Sequence, residues 1–366
     1  SWDEPIHFTR GQAYLNYFLD GSLTYKNQDF SERHSIYKET SFTADFFMKN
    51  DSGHPPVNGI LASLSNYIFY QKLGILGDIE SYHFFIIICA SVLVFIVTLF
   101  GVMAYGSYVG FITGLTLATY PLFFSESHFN IKDPVEAAFW GAIILTFWIA
   151  LKKDNWKWLL VSIIFFGLAF GTKFNILFLP LIKLPWLLIK YKFSFSNLLN
   201  QFNKWPKKFK IILLLSPFLI SAIFFCTWPY LWQDPLNNTL NIFKYYQEIG
   251  TGGKGQMSFL LPGKINSFPI IWILITTPPW ILILTIIGII ISLKIRDKNK
   301  TAILWLLWFI IPVLRVSVPN SSIYGGIRQI IEFIPAMALL SGLGGYGLSK
   351  FLVQFIPINF SIKKWQ

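Results

Sequence analysis

Charge is what this chain has least of. Of its 366 residues, 13% are charged and 54% are hydrophobic, whereas an ordinary soluble domain carries about 25% charge. Such a composition leaves a soluble surface uncovered and points to a polytopic membrane protein. Cysteine is almost missing too. Cys89 and Cys226, the two present, sit in apolar runs and read as small buried hydrophobes, neither a disulfide nor a metal site. The five histidines, His7, His34, His54, His83 and His128, are too scattered for a zinc motif such as H-E-x-x-H. No internal repeat or low-complexity segment appears. The chain begins at Ser1 with neither a Met nor a signal-peptide pattern, which suggests a fragment preceded by a further span.

Apolar sequence is what abounds, with 37 Phe, 14 Trp and a mean hydropathy of +0.53. From residue 82 onward, apolar segments recur at lengths near the roughly 20 residues that a bilayer core demands. They predict nine spans: 82–104, 108–124, 134–151, 157–171, 175–190, 211–228, 270–293, 302–319 and 329–349. Residues 1–81 are different, being mixed in polarity and holding ten of the eighteen acidic residues. The chain thus divides into a first loop, 1–81, and a transmembrane domain, 82–366, with an outer loop at 229–269. Residues 8–19 read as a short amphipathic helix lying in the interface. Phe8, Leu15, Phe18 and Leu19 mark one side of it, with Arg10, Gln12 and Asn16 elsewhere. Residues 57–76 carry Asn58, Ser63, Ser65, Asn66 and Gln71, and read as a re-entrant or interfacial helix.

The net charge of +12 would suit nucleic acid, but its placement argues for topology instead. Sixteen of the thirty basic residues fall in one set of loops: Lys152, Lys153 and Lys157; then Lys190 to Lys210; then Lys294 to Lys300; then Lys350, Lys363 and Lys364. Alternation of nine spans puts all of them on one face, which the positive-inside rule makes cytoplasmic. The excess is a topology signal and an attraction to anionic lipid. Nucleic acid is not an expected partner; membrane lipid is.

The opposite face collects the chemistry. Asp3 and Glu4 place two carboxylates beside a membrane, where they are costly unless solvated or used. Asp3 is the candidate general base for a transfer onto a hydroxyl. Glu126, His128, Lys132 and Asp133 crowd a second loop, in which Asp133-Pro134 also fits a helix cap. Lys132, Lys173 (in the turn after Gly171-Thr172) and Arg328 (opening the last span) are cations suited to a lipid phosphate. For Lys173 or Arg328 alone, snorkelling is the better explanation. Trp228, Tyr230 and Trp232 read as an aromatic belt. Gly250-Thr251-Gly252-Gly253-Lys254-Gly255 mimics a phosphate loop but lacks its glycine spacing and the Ser/Thr after the lysine. It reads as a flexible loop over the site.

Trp2-Asp3-Glu4-Pro5-Ile6-His7-Phe8, followed by a helix and by His54-Pro55-Pro56, resembles the first luminal loop of the protein O-mannosyltransferases. Residues 128–133, Gly171 to Asn175 and Ile275-Thr276-Thr277-Pro278-Pro279 are similar to prokaryotic, polyprenyl-phosphate-sugar-dependent members of the same GT-C superfamily. The resemblance extends over nearly the whole chain. It departs at Val57-Asn58-Gly59, where the family usually has a lysine, and in having no β-trefoil insert. The resemblance implies an all-α, polytopic helical bundle whose extracytoplasmic first loop bears interfacial helices. It makes Asp3 the essential acid and Glu4 its neighbour, with His7, His54 and Asp133 positioning acceptor or donor. The implied activity is transfer of a sugar, mannose or a similar hexose, from a polyprenyl-phosphate donor to a protein or lipid acceptor, with inversion. No cofactor is demanded by these motifs, and a divalent cation is the one candidate. The expected location is the plasma membrane of a prokaryote or the endoplasmic reticulum of a eukaryote, with an extracytoplasmic or luminal site. The competing expectation is a polytopic transporter or lipid flippase.

Overall fold

The computed structural model describes residues 4–25, 32–51, 53–251, 259–261, 265–295, 297–319, 321, 323 and 325–354. Among these residues the chain is helical throughout, apart from one isolated antiparallel bridge between Leu260 and Asn266. The first loop supplies α1 (Glu4–Asp20), α2 (Ala44–Asn50) and α3 (Val57–Asn66), the last continuing into a wide turn over Tyr67–Lys72. The bundle then runs α4 (Asp78–Tyr105), α5 (Ser107–Ala118), α6 (Pro121–Phe129), α7 (Asp133–Lys153), α8 (Trp156–Phe170), α9 (Pro180–Lys190), α10 (Phe195–Lys204) and α11 (Lys207–Thr227). After the outer helices α12 (Tyr230–Gln233) and α13 (Pro235–Thr251) come α14 (Phe268–Thr276), α15 (Pro279–Lys294), α16 (Thr301–Arg315) and α17 (Phe333–Val353).

Four helices, α4, α7, α11 and α17, are long and apolar enough to cross a membrane among the described residues, and two bent pairs raise the figure to six. Helices α8, α15 and α16 are apolar but shorter. Each of the nine apolar segments contains helix, though several are broken. The break at Tyr120 has a local cause. Pro121 opens α6 and holds the preceding residue extended, with Tyr120 at φ −71° and ψ 115°, and the two halves meet at 60°.

Helix α7 is the mast of the bundle, buried along almost its entire length. Trp140 and Trp148 on α7 and Trp305 and Trp308 on α16 are fully buried around it. Lys152 and Lys153 close its last turn, where cations complement the helix dipole. By contrast, α11 buries only Phe209 and Phe224 and turns most of its apolar surface outward, as a lipid-facing span does. Cys226 lies on that outer surface, which corrects the reading of it as buried: an apolar run around a cysteine cannot distinguish protein from lipid as its neighbour.

The two ends of the bundle sort the loops. One end joins the first loop to the others: Val57 N–H donates to Gly171 O, Asn58 to Ile131 O, Trp228 Nε1 to Asp51, and His54 meets Tyr246. The other end holds the basic connections, where Trp186 donates to Asn299 and Lys300 carbonyls and Tyr105 bonds Asp297.

Candidate active site

The site begins with two helices that cross unusually closely. A Cβ on Gly11 would stand 2.3 Å from Gly59 O, and one on Gly59 would stand 2.6 Å from His7 O. Only glycine permits this approach of α1 to α3. The polar positions of the amphipathic pattern over 8–19 are not exposed in the fold. Arg10, Gln12 and Asn16 are buried, because α1 packs against α2 and α3 and meets Tyr82 of α4. Gln12 Nε2 donates to Asn66 Oδ1 at 3.1 Å and to Tyr82 Oη at 2.5 Å.

Arg10 is the organiser. Its guanidinium donates to Asp51 Oδ1 at 2.7 Å, to His54 O at 2.5 Å and to Pro55 O at 3.4 Å, and so holds the His-Pro-Pro element in place. Asp51 also accepts from Tyr14 Oη at 3.0 Å and Trp228 Nε1 at 2.9 Å. The same guanidinium stands 3.0 Å from His7 Nδ1. A guanidinium has no lone pair to offer, so His7 accepts through Nδ1 and carries its proton on Nε2. That Nε2 is buried and has no hydrogen-bond partner among the described residues. His7 and His54 have ring centroids 5.6 Å apart, and His54 Nδ1 lies 2.8 Å from Tyr246 Oη. Burial first, then the charges of Lys132 and Arg10, hold His7 well below the usual histidine range and push His54 down to about 2. Both rings are therefore neutral hydrogen-bonding groups.

A second cluster adjoins the first. Asn130 Oδ1 accepts from the backbone N–H groups of Lys132 and Asp133, and its amide donates to Glu126 at 2.5 Å and Asp133 at 2.8 Å. Asn130, not Asp133, thus tends the start of α7, which corrects the cap reading. The Asp133 carboxylate is freed to meet Lys173 Nζ at 2.9 Å. Lys173 also lies 3.5 Å from Glu136 and donates to Gln329 O at 3.3 Å. Burial opposes its charge, but Asp133 and Glu136 outweigh that and hold the ammonium above the usual lysine range. Beyond them Arg315 pairs with Glu332 at 3.1 Å.

Of the residues expected from sequence, Asp3 lies outside the described residues. Glu4 opens α1 and stands 3.6 Å from His83 Nε2. His7, His54, Lys132, Asp133 and Lys173 come together, the charge of Lys132 acting on both histidines. Arg328 donates to Gly325 O at 3.1 Å, on a turn where Gly325 and Gly326 adopt φ +68° and +75°, and its charge reaches Asp133 and Glu126. His34 is elsewhere, with its ring 3.2 Å from Glu32 O. The glycine-rich stretch has residues 252–255 outside the described residues. Sequence reasoning missed Arg10, Asp51, Glu136 and Glu332. The last two gave a signal, since a carboxylate inside a predicted apolar span is expensive and marks a function or a partner. Among the described residues, no three His, Cys, Asp or Glu side chains are grouped to hold a metal ion. Between α14, α15, α16 and α17 opens an apolar cavity of about 320 Å³, lined by residues such as Ile273, Leu282, Phe309 and Met337.

A model of the dolichyl-phosphate-mannose-protein mannosyltransferase family matches residues 53–221. In fold, the chain is similar to the crystal structure of ArnT from Cupriavidus metallidurans in the apo state (TM-score 0.60, 15% identity) and bound to undecaprenyl phosphate (TM-score 0.63, 14% identity). The family match takes in less than half of the chain, and the likeness to the two structures is one of fold. Both alignments take in 95% of this chain but only 57% and 58% of the ArnT chains, so it spans little more than half their length. Compared with curated proteins by sequence, it matches none. The mannosyltransferase match takes in His54, Lys132, Asp133 and Lys173 and stops short of α1 and Arg328.

Proposed function

We propose that this chain transfers a sugar from a polyprenyl-phosphate donor to an acceptor hydroxyl at the end of the bundle that gathers α1, His54, Lys132 and Asp133. The observation that carries the reading is that convergence: neutral histidines, a paired carboxylate and cations from four separate segments meet at one end of a GT-C fold. The undecaprenyl phosphate bound to ArnT, a protein of the same fold, supports a lipid-phosphate donor here. The apolar cavity beside α14 would take part of the polyprenyl chain.

In this reading the acceptor oxygen attacks the anomeric carbon from the face opposite the phosphate. The bond from that carbon to the phosphate oxygen breaks, its electron pair leaves with the phosphate, and the hydroxyl proton passes to Asp3. The configuration inverts. Glu4 orients the acceptor, and His7 Nε2–H and the neutral His54 fix sugar or acceptor by hydrogen bonds. Lys132 and Arg328 stabilise the charge developing on the phosphate. Lys173 reaches a phosphate only by giving up part of its pairing with Asp133, so it both completes the cation set and positions that carboxylate. A transporter or flippase calls for polar groups at mid-depth. Here the buried ion pairs of Lys173 and Arg315 collect at the outer end, and Lys183, whose ammonium lies 4.3 Å from the Phe147 ring centroid, stands apart from them within α9.

The distribution of basic residues between the two ends supports an extracytoplasmic or luminal site. An impermeant thiol reagent should label Asn237→Cys from outside intact cells and spare Asn299→Cys; the opposite pattern removes the donor from the site. The activity itself is tested with purified protein, a labelled polyprenyl-phosphate sugar and extracted membrane acceptors. Label on the acceptor with matching release of polyprenyl phosphate is expected. An intact donor that merely changes leaflet in proteoliposomes would establish the transporter instead.

A further inference from the structure

Helix α10 stands apart from the site and from every motif above. It leaves the end of α9 at 97°, whereas α11 returns into the bundle three residues after α10 ends. The turn that redirects the chain is costly, for Lys192 and Phe193 both take left-handed conformations (φ 58° and 52°) that side-chain-bearing residues avoid. A helix perpendicular to a span lies parallel to the membrane plane. Phe195, Leu198, Leu199 and Phe202 fall at i, i+3, i+4 and i+7 and form one apolar stripe. No residue of α10 is buried by protein: Phe195 is 78% exposed, Leu199 46%, and Phe193 in the preceding turn 72%. Around this stripe stand Lys190, Lys192, Lys204, Lys207, Lys208 and Lys210, and α10 itself carries no acidic residue.

We infer that α10 is an in-plane anchor, its apolar stripe sunk into the acyl boundary of the leaflet and its flanking lysines holding anionic phospholipid headgroups. The stripe explains why the costly turn persists: it carries Phe193 and Phe195 to the depth where their rings leave water. The charge explains the choice of lipid, since six lysines on or beside α10, which carries no carboxylate of its own, favour an anionic surface over a zwitterionic one. At the N-terminal side of α11, Lys210 donates to Asn203 O and is held next to α10, while Lys208 lies 5.6 Å from the ring centroid of Trp156 on α8.

The test uses the full chain with Cys89 and Cys226 replaced by serine, in nanodiscs of phosphatidylcholine with or without phosphatidylglycerol. A bimane probe on Leu199→Cys should be quenched by brominated acyl chains about threefold more than one on Asn200→Cys, which lies outside the stripe, and aqueous iodide should reverse the order. Lys204→Gln, Lys207→Gln and Lys208→Gln together should lower co-purified phosphatidylglycerol at least about twofold while phosphatidylcholine stays constant. Iodide reaching Leu199 and Asn200 alike would overturn the anchor, as would a stripe hidden from both quenchers by a second copy. Unchanged phosphatidylglycerol in the triple variant, with the Leu199 probe still buried, would overturn the headgroup half.

Discussion

The two ends of this bundle use cations in opposite ways. At the outer end, Arg10, Lys173 and Arg315 are largely buried and each meets a carboxylate, Asp51, Asp133 and Glu332 respectively. At the basic end, Lys152, Lys190, Lys208 and Lys350 lie over the rings of Trp148, Trp186, Trp156 and Tyr346, at 4.5 to 5.6 Å from their centroids. A buried charge needs its partner, because removing the partner leaves it uncompensated where water cannot reach. A lysine at the interface needs only an apolar body to lie along and headgroups to reach. The same residue types therefore build a site at one end and fasten the protein to lipid at the other.

The sharpest way to separate the ends is Asp3→Asn. Loss of a general base typically costs about 10²–10⁴ in rate, and transfer assayed at matched protein levels should fall by that much while the donor still binds. A rate within about twofold of wild type would retire Asp3 as the base.

Next in size is Asp51→Ala. It strands the Arg10 guanidinium and deprives Tyr14 and Trp228 of their acceptor, and breaking a buried pair in this way costs about 3–5 kcal/mol. Thermal melting in detergent should show a large drop. A melt like that of wild type would mean that Arg10 does not depend on its partner, and the contrast between the ends would fail.

Smaller still is the effect of Arg328→Gln or Lys132→Gln, each expected to weaken donor use by roughly ten- to a hundredfold, the worth of about 1.5–3 kcal/mol for a bond to a charged group. Lys152→Gln at the basic end should stay within about twofold, as exposed charges contribute little. Equal losses at both ends would erase the distinction.

The smallest effect is a pH dependence. In the fold His7 and His54 stay neutral, while unfolded histidines titrate near about 6.5. Below that pH the unfolded chain binds protons that the fold refuses, so stability rises with pH. The contribution is complete above about pH 6.5 and is lost as the pH falls from there towards 2. Melting temperatures should decline from about pH 8 to pH 5, and His54→Gln should flatten that decline. A slope identical in His54→Gln would show that His54 is not held neutral.

Much of the fold was legible because lipid is an undemanding solvent to read. Length, apolarity and the positions of lysine locate helices and separate the two sets of loops without any contact being known, and Asp-Glu with His-Pro-Pro pointed to the fold shared with the ArnT structures. Partnership was not legible. Arg10 looked like a polar residue on an interfacial helix, yet Gly11 and Gly59 let α1 sink against α3 and enclose it. Asp133 looked like a cap until Asn130 took that work and left its carboxylate to Lys173, forty residues away. A sequence shows which groups are too polar for their surroundings. Which of them neutralise each other depends on distances of a few ångströms between segments far apart in the chain, and only the packing of the helices sets those distances.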